Sequence, residues 1–474
     1  MSGESAVTSR TFNLVDQQSF AQATGDWNPI HVDPVFARRT VAGAPVVHGV
    51  HLLLWTLNCV ARQFGMRRPT QISASFDRFM LVGQSASLTT KWRDEDRLLI
   101  SVEADGVGRC SIDLIFKDVP SGPPSGGSDW PFFAPGKEAI DRPVAEIGGL
   151  SGHVPAMSPM KEITDLFPQA ASWLGADVVA TLGATTRLVG MVCPGLHSIF
   201  KGLRLTLSAT DTGPERGVYF TTGPVRHGLV NMAVVGGGMI GTVSAVVRAK
   251  QQSQPAMADI APLLLPDAFA GDLAVVVGAS RGLGEATAKI LAAGGAHVLA
   301  TWSEGEADAE RVADEIRDAG GRCTTFRYRI GDAAAALSSI PHSPTHGYYF
   351  AAPMIAEPAS QFFDVERLRN LERFFLSGFW EFASEMRAKH AEARLFYPST
   401  VYVERWPKGL AEYAMAKAAG ELLCTEINAQ LAPLTVIAAR LPKLQTDQTA
   451  VLYQTEHADS IEVLLPLVNK VQRG

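Results

Sequence analysis

The sequence is poor in the features that would place it outside the ordinary soluble enzymes. Its 474 residues hold five cysteines, Cys59, Cys110, Cys193, Cys323 and Cys424. They are odd in number, far apart and free of any CxxC spacing, which excludes a disulfide framework and a zinc site of ordinary spacing. Runs of like charge are missing too: 42 basic and 48 acidic residues are scattered, with a formal net charge of −6. That excludes a nucleic-acid or lipid-surface partner recognised by a basic patch. The longest apolar runs, such as Leu52–Leu57 and Leu273–Val277, are too short to span a bilayer. The N-terminal MSGESAVTSRTFNL lacks the basic-then-apolar pattern of a secretory signal, and VQRG at the other end is no peroxisomal tripeptide. A cytoplasmic protein without membrane contact is the expectation.

With 46% hydrophobic and 19% charged residues, a chain of this length holds more than one core. Pro120–Asp129 (PSGPPSGGSD) has linker composition, and Gln251–Asp259 (QQSQPAMAD) is a weaker break. They divide the chain into residues 1–120, 130–252 and 260–474. The first two segments share an order of elements. An apolar helix, Val50–Phe64, precedes the strand-like SASFDRFML, LLISVEADG and RCSIDLIFKD; the helix-like Asp177–Val192 precedes HSIFKGLRL, GVYFTTGPVRHG and GMIGTVSAVVRA. SASFDRFML and HSIFKGLRL are the expected counterparts in a helix-wrapped-by-sheet repeat. The third segment alternates strand and helix (LAVVVGAS, EATAKILAAGG, HVLATW, ADAERVADEIRDAGG), the pattern of a doubly wound parallel sheet.

Chemistry concentrates first in Phe20–Ala37, where Gly25, Asp26, Asn28, Pro29 and His31 form GDxNPxH, followed by Ala44-Pro-Val-Val-His48-Gly49 opening a helix. This stretch resembles the MaoC-like, (R)-specific enoyl-thioester hydratase family over about 100 residues. The resemblance implies a hot-dog fold and addition or removal of water across the 2,3 bond of an acyl thioester. That reaction needs a base for the C2 proton and an acid for the leaving hydroxyl. The family's positions make these Asp26 and His31, with Asn28 and Pro29 shaping the turn between them. The backbone N–H of Gly49, at a helix start, would face the enolate oxygen. His48 and His51 read as structural, as do His197 and His227 in the second segment, which has no GDxNPxH. That segment is expected to be a degenerate hot-dog making room for the acyl chain without chemistry of its own.

The third segment carries Gly278-Ala-Ser280-Arg281-Gly282-Leu283-Gly284 after a buried strand, then Tyr413-Ala-Met-Ala-Lys417, with Ser399-Thr400 preceding. Glycines at such a turn let a pyrophosphate approach a helix N-terminus. Together these motifs resemble the short-chain dehydrogenase/reductase family over about 200 residues. The resemblance implies that Tyr413 moves the carbonyl proton while Lys417 lowers its pKa and holds the nicotinamide ribose. Either Ser399 or Thr400 would polarise the carbonyl. Four departures stand out: Phe350-Ala-Ala-Pro353 for the strand-four NNAG, Phe375 for an Asn, Arg329 for an acidic residue, and Pro442-Lys443 for Pro-Gly. Ala300-Thr301-Trp302-Ser303 offers no carboxylate to ribose hydroxyls, and Arg281 can meet a 2′-phosphate, so NADPH is the expected cofactor.

The expected fold is therefore an α+β double hot-dog region followed by an α/β Rossmann-type domain. The expected function is a bifunctional 3-hydroxyacyl-thioester dehydratase and NADPH-dependent 3-ketoacyl-thioester reductase. Its substrates would be carried by acyl carrier protein or CoA, in a biosynthetic route, and the protein would be a homo-oligomer. The alternatives are an oxidative hydratase/dehydrogenase and a dehydratase with a non-catalytic reductase-like scaffold.

Overall fold

In the computed structural model of the chain, residues 8–64, 67–117, 130–158, 160–207, 216–355, 363–447, 449 and 458–473 are described. The proline- and glycine-rich stretch 120–129 lies outside them. The chain divides into two compact units, Met1–Lys250 and Gln251–Gly474.

Among the described residues unit 1 holds ten strands: β1 (Thr8–Thr11), β2 (Gln71–Phe76), β3 (Ser85–Asp94), β4 (Arg97–Ala104), β5 (Val107–Ile115), β6 (Ser151–Pro155), β7 (Ser198–Leu207), β8 (Gly217–Thr222), β9 (Leu229–Gly236) and β10 (Met239–Val247). They form one sheet in the order β1-β3-β4-β5-β2-β7-β10-β9-β8-β6, so its right half repeats the left in reverse. The two halves join where β2 pairs antiparallel with β7, from Gln71↔Thr206 to Ser75↔Gly202. These are the two strands that the sequence sets in correspondence, and they meet at the pseudo-twofold centre. Gly202 is needed there, because a Cβ on it would stand 2.4 Å from the Ala74 carbonyl oxygen.

Each half wraps its sheet around one apolar helix. In the first half this is Gly49–Phe64, with Val50, Leu52, Leu53, Leu54, Leu57 and Val60 buried. At about 1.5–3 kcal/mol per fully buried aliphatic side chain, this row is a main source of the half's stability. The counterpart, Ala176–Arg187, is buried at every position from Val178 onward. It continues into a π-helical turn, Leu188–Val192, where the sequence suggests a plain helix. The halves are stitched by polar contacts as well. Asn58 Oδ1 accepts from the amides of Gln169 (2.8 Å) and Ala170 (3.2 Å), in the first turn of the helix Pro168–Leu174.

Unit 2 is a six-stranded parallel sheet of β11 (Leu273–Val277), β12 (His297–Trp302), β13 (Arg322–Arg327), β14 (His346–Tyr349), β15 (Arg394–Thr400) and β16 (Thr435–Leu441). The order β13-β12-β11-β14-β15-β16 reverses at β11, the switch point where doubly wound sheets open a crevice. The expected break at Gln251–Asp259 is anchored to this unit. The Pro255 carbonyl accepts from buried Lys289 Nζ (3.0 Å), and the Met257 amide donates to Glu315 (2.9 Å).

Replacing Asn58 by Ala removes an N-cap supplied from the other half. The unfolding midpoint of unit 1 in urea should fall by the equivalent of about 1 kcal/mol, read by tryptophan fluorescence.

Candidate active sites

The helix Leu14–Thr24 ends at Gly25, which takes the left-handed conformation (φ +74°) and turns the chain sharply into Asp26. Asn28 then caps the short turn Pro29–Val32 by accepting from the Ile30 amide, so Asp26 and His31 come round to the same side. Oxygen and nitrogen atoms of Asp26, His31 and His48 lie within 4.8 Å of one another. The His31 and His48 rings stack at 3.8 Å. Gly49 follows His48 at the helix start, so its N–H belongs to the first turn, whose amides have no partner within the helix, at the positive end of the dipole.

His31 Nδ1 lies 2.7 Å from the Val46 carbonyl and must donate to it, which leaves the lone pair on Nε2. Burial, set against that bond and added to by the nearby Arg248 charge, lowers the His31 pKa to about 4. His31 is therefore a neutral base at physiological pH, and it is partly buried where Asp26 is sealed. Burial raises the Asp26 pKa to about 7, against the lowering effects of a bond from Thr186, the Asn28 amide and the Arg187 charge. The acid and the base thus sit on opposite sides of their ordinary order.

The second half supplies much of this pocket, which corrects the expectation that it contributes room alone. Thr186 Oγ1 donates to Asp26 Oδ2 at 2.7 Å. Arg187, 1% exposed, donates to the carbonyls of Pro155 (2.9 Å) and Phe133 (2.5 Å) beside Asp26. Asn28 Nδ2 donates to the carbonyls of Gly190 (2.7 Å), Gly195 and Leu196 (both 3.3 Å). The π-helical turn brings Gly190 so close that a Cβ there would stand 2.2 Å from Asp26 Oδ1. Sequence reasoning missed Thr186, Arg187 and Gly190. The signal was an arginine inside an otherwise apolar helix, which requires buried acceptors. His48 and His51 are fully packed: His48 donates its amide to Gln17 Oε1 (3.1 Å), and His51 stacks on Phe20 at 4.5 Å.

In unit 2, Gly278 (φ +81°) and Gly282 (φ +60°) form the turn between β11 and the helix Gly282–Ala293. A Cβ on Gly284 would meet the Gly278 carbonyl oxygen at 2.1 Å, so the loop folds only with glycine there. Thr301 Oγ1 accepts from the Gly278 amide (3.1 Å) and holds the loop open over β12. Ser280 is buried, and Leu283 partly so. Arg281 lies 3.6 Å from the Asp447 carboxylate, so its charge is already partly matched.

Tyr413 and Lys417 lie on the helix Ala411–Gln430, next to the end of β15. Thr400 shares a hydrogen bond with the Tyr413 hydroxyl, while Ser399 turns away and donates to Glu421 (2.5 Å). Of the two hydroxyls considered, only Thr400 faces the tyrosine. The expected effect of Lys417 on Tyr413 is also corrected. Burial raises Tyr413 to about 12, and burial lowers Lys417 to about 7. Lys417 Nζ donates to the Pro398 carbonyl (2.5 Å) and lies 3.9 Å from the centre of the Phe375 ring and 4.7 Å from that of Tyr397. Phe375 thus covers the lysine. Arg329, exposed, pairs at 3.7 Å with Glu304.

An antiparallel sheet around two central helices, followed by a switched parallel sheet with a glycine turn, defines a double hot-dog unit and a Rossmann-type unit. Comparison with known proteins agrees: residues 3–103 match the MaoC like domain and residues 272–340 the short chain dehydrogenase family. The chain carries a MaoC-like domain in unit 1 and a short-chain dehydrogenase domain in unit 2.

The mouse peroxisomal multifunctional enzyme type 2 is 29% identical over 113 residues, 23% of this chain and 15% of that protein. The (R)-specific enoyl-CoA hydratase of Aeromonas caviae is 40% identical over 50 residues, 10% of this chain and 37% of that protein. The chain thus covers well under half the length of either relative. Among solved structures, a 3-oxoacyl (acyl-carrier-protein) reductase from Agrobacterium tumefaciens with NADP bound is similar. It shows 21% identity and a TM-score of 0.35, covering 38% of this chain and 74% of that one. No described helix is long and apolar enough to cross a membrane.

Gly190→Ala should displace the Asp26 carboxylate, lowering turnover at the unit 1 site about 10²-fold and stability by about 1–3 kcal/mol. Parallel measurement of initial rates and melting temperature checks it.

Proposed function

We propose that unit 1 interconverts 3-hydroxyacyl and 2-enoyl thioesters and that unit 2 is a nicotinamide-dependent reductase acting on the corresponding 3-ketoacyl thioester. The observation that carries the first part is the convergence of the sealed Asp26 carboxyl and the His31 imidazole, its Nδ1 held on the Val46 carbonyl, beside a helix start. In the dehydrating direction, His31 Nε2 takes the C2 proton, and the electron pair moves onto the thioester oxygen, facing the Gly49 amide. Asp26 delivers its proton to the 3-hydroxyl as the C3–O bond breaks, so water leaves and the 2,3 double bond forms. Hydration is the same path reversed. The working form carries one proton on the Asp26–His31 pair.

The glycine turn of unit 2 fits a dinucleotide, because a side chain at Gly284 would fill the cradle. Gly278, Ser280, Arg281, Gly282, Leu283 and Gly284 would hold its pyrophosphate end, with Thr301 bracing the turn. The bound dinucleotide supplies the hydride. Tyr413 passes the proton to the carbonyl oxygen, and Thr400 orients the tyrosine hydroxyl. The absence of a carboxylate at Thr301-Trp302-Ser303 favours NADPH and hence the reductive direction, on chains carried by CoA or acyl carrier protein in a homo-oligomer.

One observation favours a second reading, in which unit 2 binds nucleotide without turnover. Lys417 is enclosed by Phe375, Tyr397 and the Pro398 carbonyl, and so is poorly placed to hold a ribose.

Assays on 3-ketoacyl and crotonyl thioesters separate these readings. Asp26→Asn should lose water chemistry by about 10²–10⁴-fold and keep hydride transfer, and Tyr413→Phe should do the reverse. NADPH binding by calorimetry with no ketoreduction in the unmutated protein would select the second reading. For water chemistry, kcat/KM should follow a bell with limbs near pH 4 and pH 7, where the pair gains its second proton and loses its last. Arg187→Gln removes a cation that favours the carboxylate, so the upper limb should move to higher pH.

A further inference from the structure

A second arginine of unit 1 has no role in the scheme above. Arg248 follows β10 and is 4% exposed. Its Nη2 donates to the Leu196 carbonyl at 2.9 Å, the same oxygen that accepts from Asn28 Nδ2. The guanidinium is therefore one shared acceptor away from the catalytic turn, and its charge acts on His31. Its Nε and Nη1 are buried and have no hydrogen-bond partner among the described residues. Next to it, His197 Nδ1 is likewise buried and unpartnered, while His197 Nε2 faces Asp141 at 3.6 Å. The Phe36 ring lies 5.3 Å from the guanidinium carbon and covers it.

A buried cation with unsatisfied donors is costly to keep, and protein interiors tolerate it where ordered water or a ligand supplies the acceptors. We propose that Arg248 binds a carboxylate on the acyl group, so that the preferred substrates of unit 1 are enoyl or 3-hydroxyacyl thioesters of dicarboxylic acids. The chemistry required is an anionic oxygen group. An acyl carboxylate lies a few bonds from the reacting C2 and C3, as Arg248 lies close to His31 and Asn28. The phosphates of a pantetheine carrier lie at the far end of a long arm. An apolar acyl chain would leave the Arg248 donors unpaired, which is the arrangement by which a site rejects the analogue lacking its polar group. The inference rests on the hydratase reading of Asp26 and His31.

The test compares hydration of crotonyl-CoA with that of the analogous butenedioyl-CoA bearing a terminal carboxylate, in unmutated protein, Arg248→Met and Arg248→Lys. Unmutated protein should favour the carboxylated thioester by about 10²-fold or more in kcat/KM. Arg248→Met should erase that preference, and Arg248→Lys should restore part of it. Repeating the pair as N-acetylcysteamine thioesters, which carry no phosphate, should leave the preference intact. An Arg248→Met loss that is equal on both CoA esters and absent on both N-acetylcysteamine esters would assign Arg248 to the carrier phosphates and overturn the proposal. So would equal losses on both acyl groups in Arg248→Met. Should that variant fail to fold, an unmutated protein with no preference for the carboxylated ester overturns the proposal by itself. Failure of the underlying reading is distinct, because Asp26→Asn would then hydrate crotonyl-CoA at the unmutated rate.

Discussion

The sealing of one carboxyl group, Asp26, between the two halves of unit 1 governs the rest of that unit. A carboxylate removed from water must be given hydrogen bonds and charge, or it takes up a proton. Here it receives both in part: a hydroxyl from Thr186, the amide of Asn28, and the field of Arg187. The result is a group poised near neutrality, neither an ordinary carboxylate nor a permanently protonated acid. The π-helical turn at Leu188–Val192 follows from the same need, since it presents Gly190 where a side chain would evict the carboxyl oxygen.

This makes the second half a working part of the site. It has no GDxNPxH turn, yet Thr186, Arg187, Gly190, Leu196 and Arg248 all touch or act on the residues of the turn that the first half carries. The pseudo-twofold pairing of β2 with β7 explains how. It sets the two central helices against one sheet, so the helix of the second half faces the GDxNPxH turn as a partner copy would in a symmetric pair.

Unit 2 meets the same physical problem with the opposite sign. Lys417 is buried like Asp26, but its surroundings are aromatic rings and one carbonyl, with no carboxylate among its hydrogen-bond partners in the described residues. Desolvation therefore draws its pKa down to about 7, and the tyrosine beside it is raised rather than lowered. The glycine turn, by contrast, keeps the backbone geometry that dinucleotides require. The two ends of this crevice are thus under different constraints.

Local chemistry in the sequence was enough for the architecture and for the turn residues. Glycine and proline positions, the 3.6-residue and alternating patterns, and GDxNPxH all act over a few residues, so a single strand of text carries them. The same holds for the glycine loop after β11 and for the choice of Tyr413, Lys417 and Ser399-Thr400 as candidate residues. The choice between those hydroxyls, the cover that Phe375 places over Lys417, and the approach of Arg187, Gly190 and Arg248 to Asp26 and His31 were decided only on folding. Each depends on residues up to some 200 positions apart meeting in the interior, where low dielectric and close packing set which charges survive and which atoms fit.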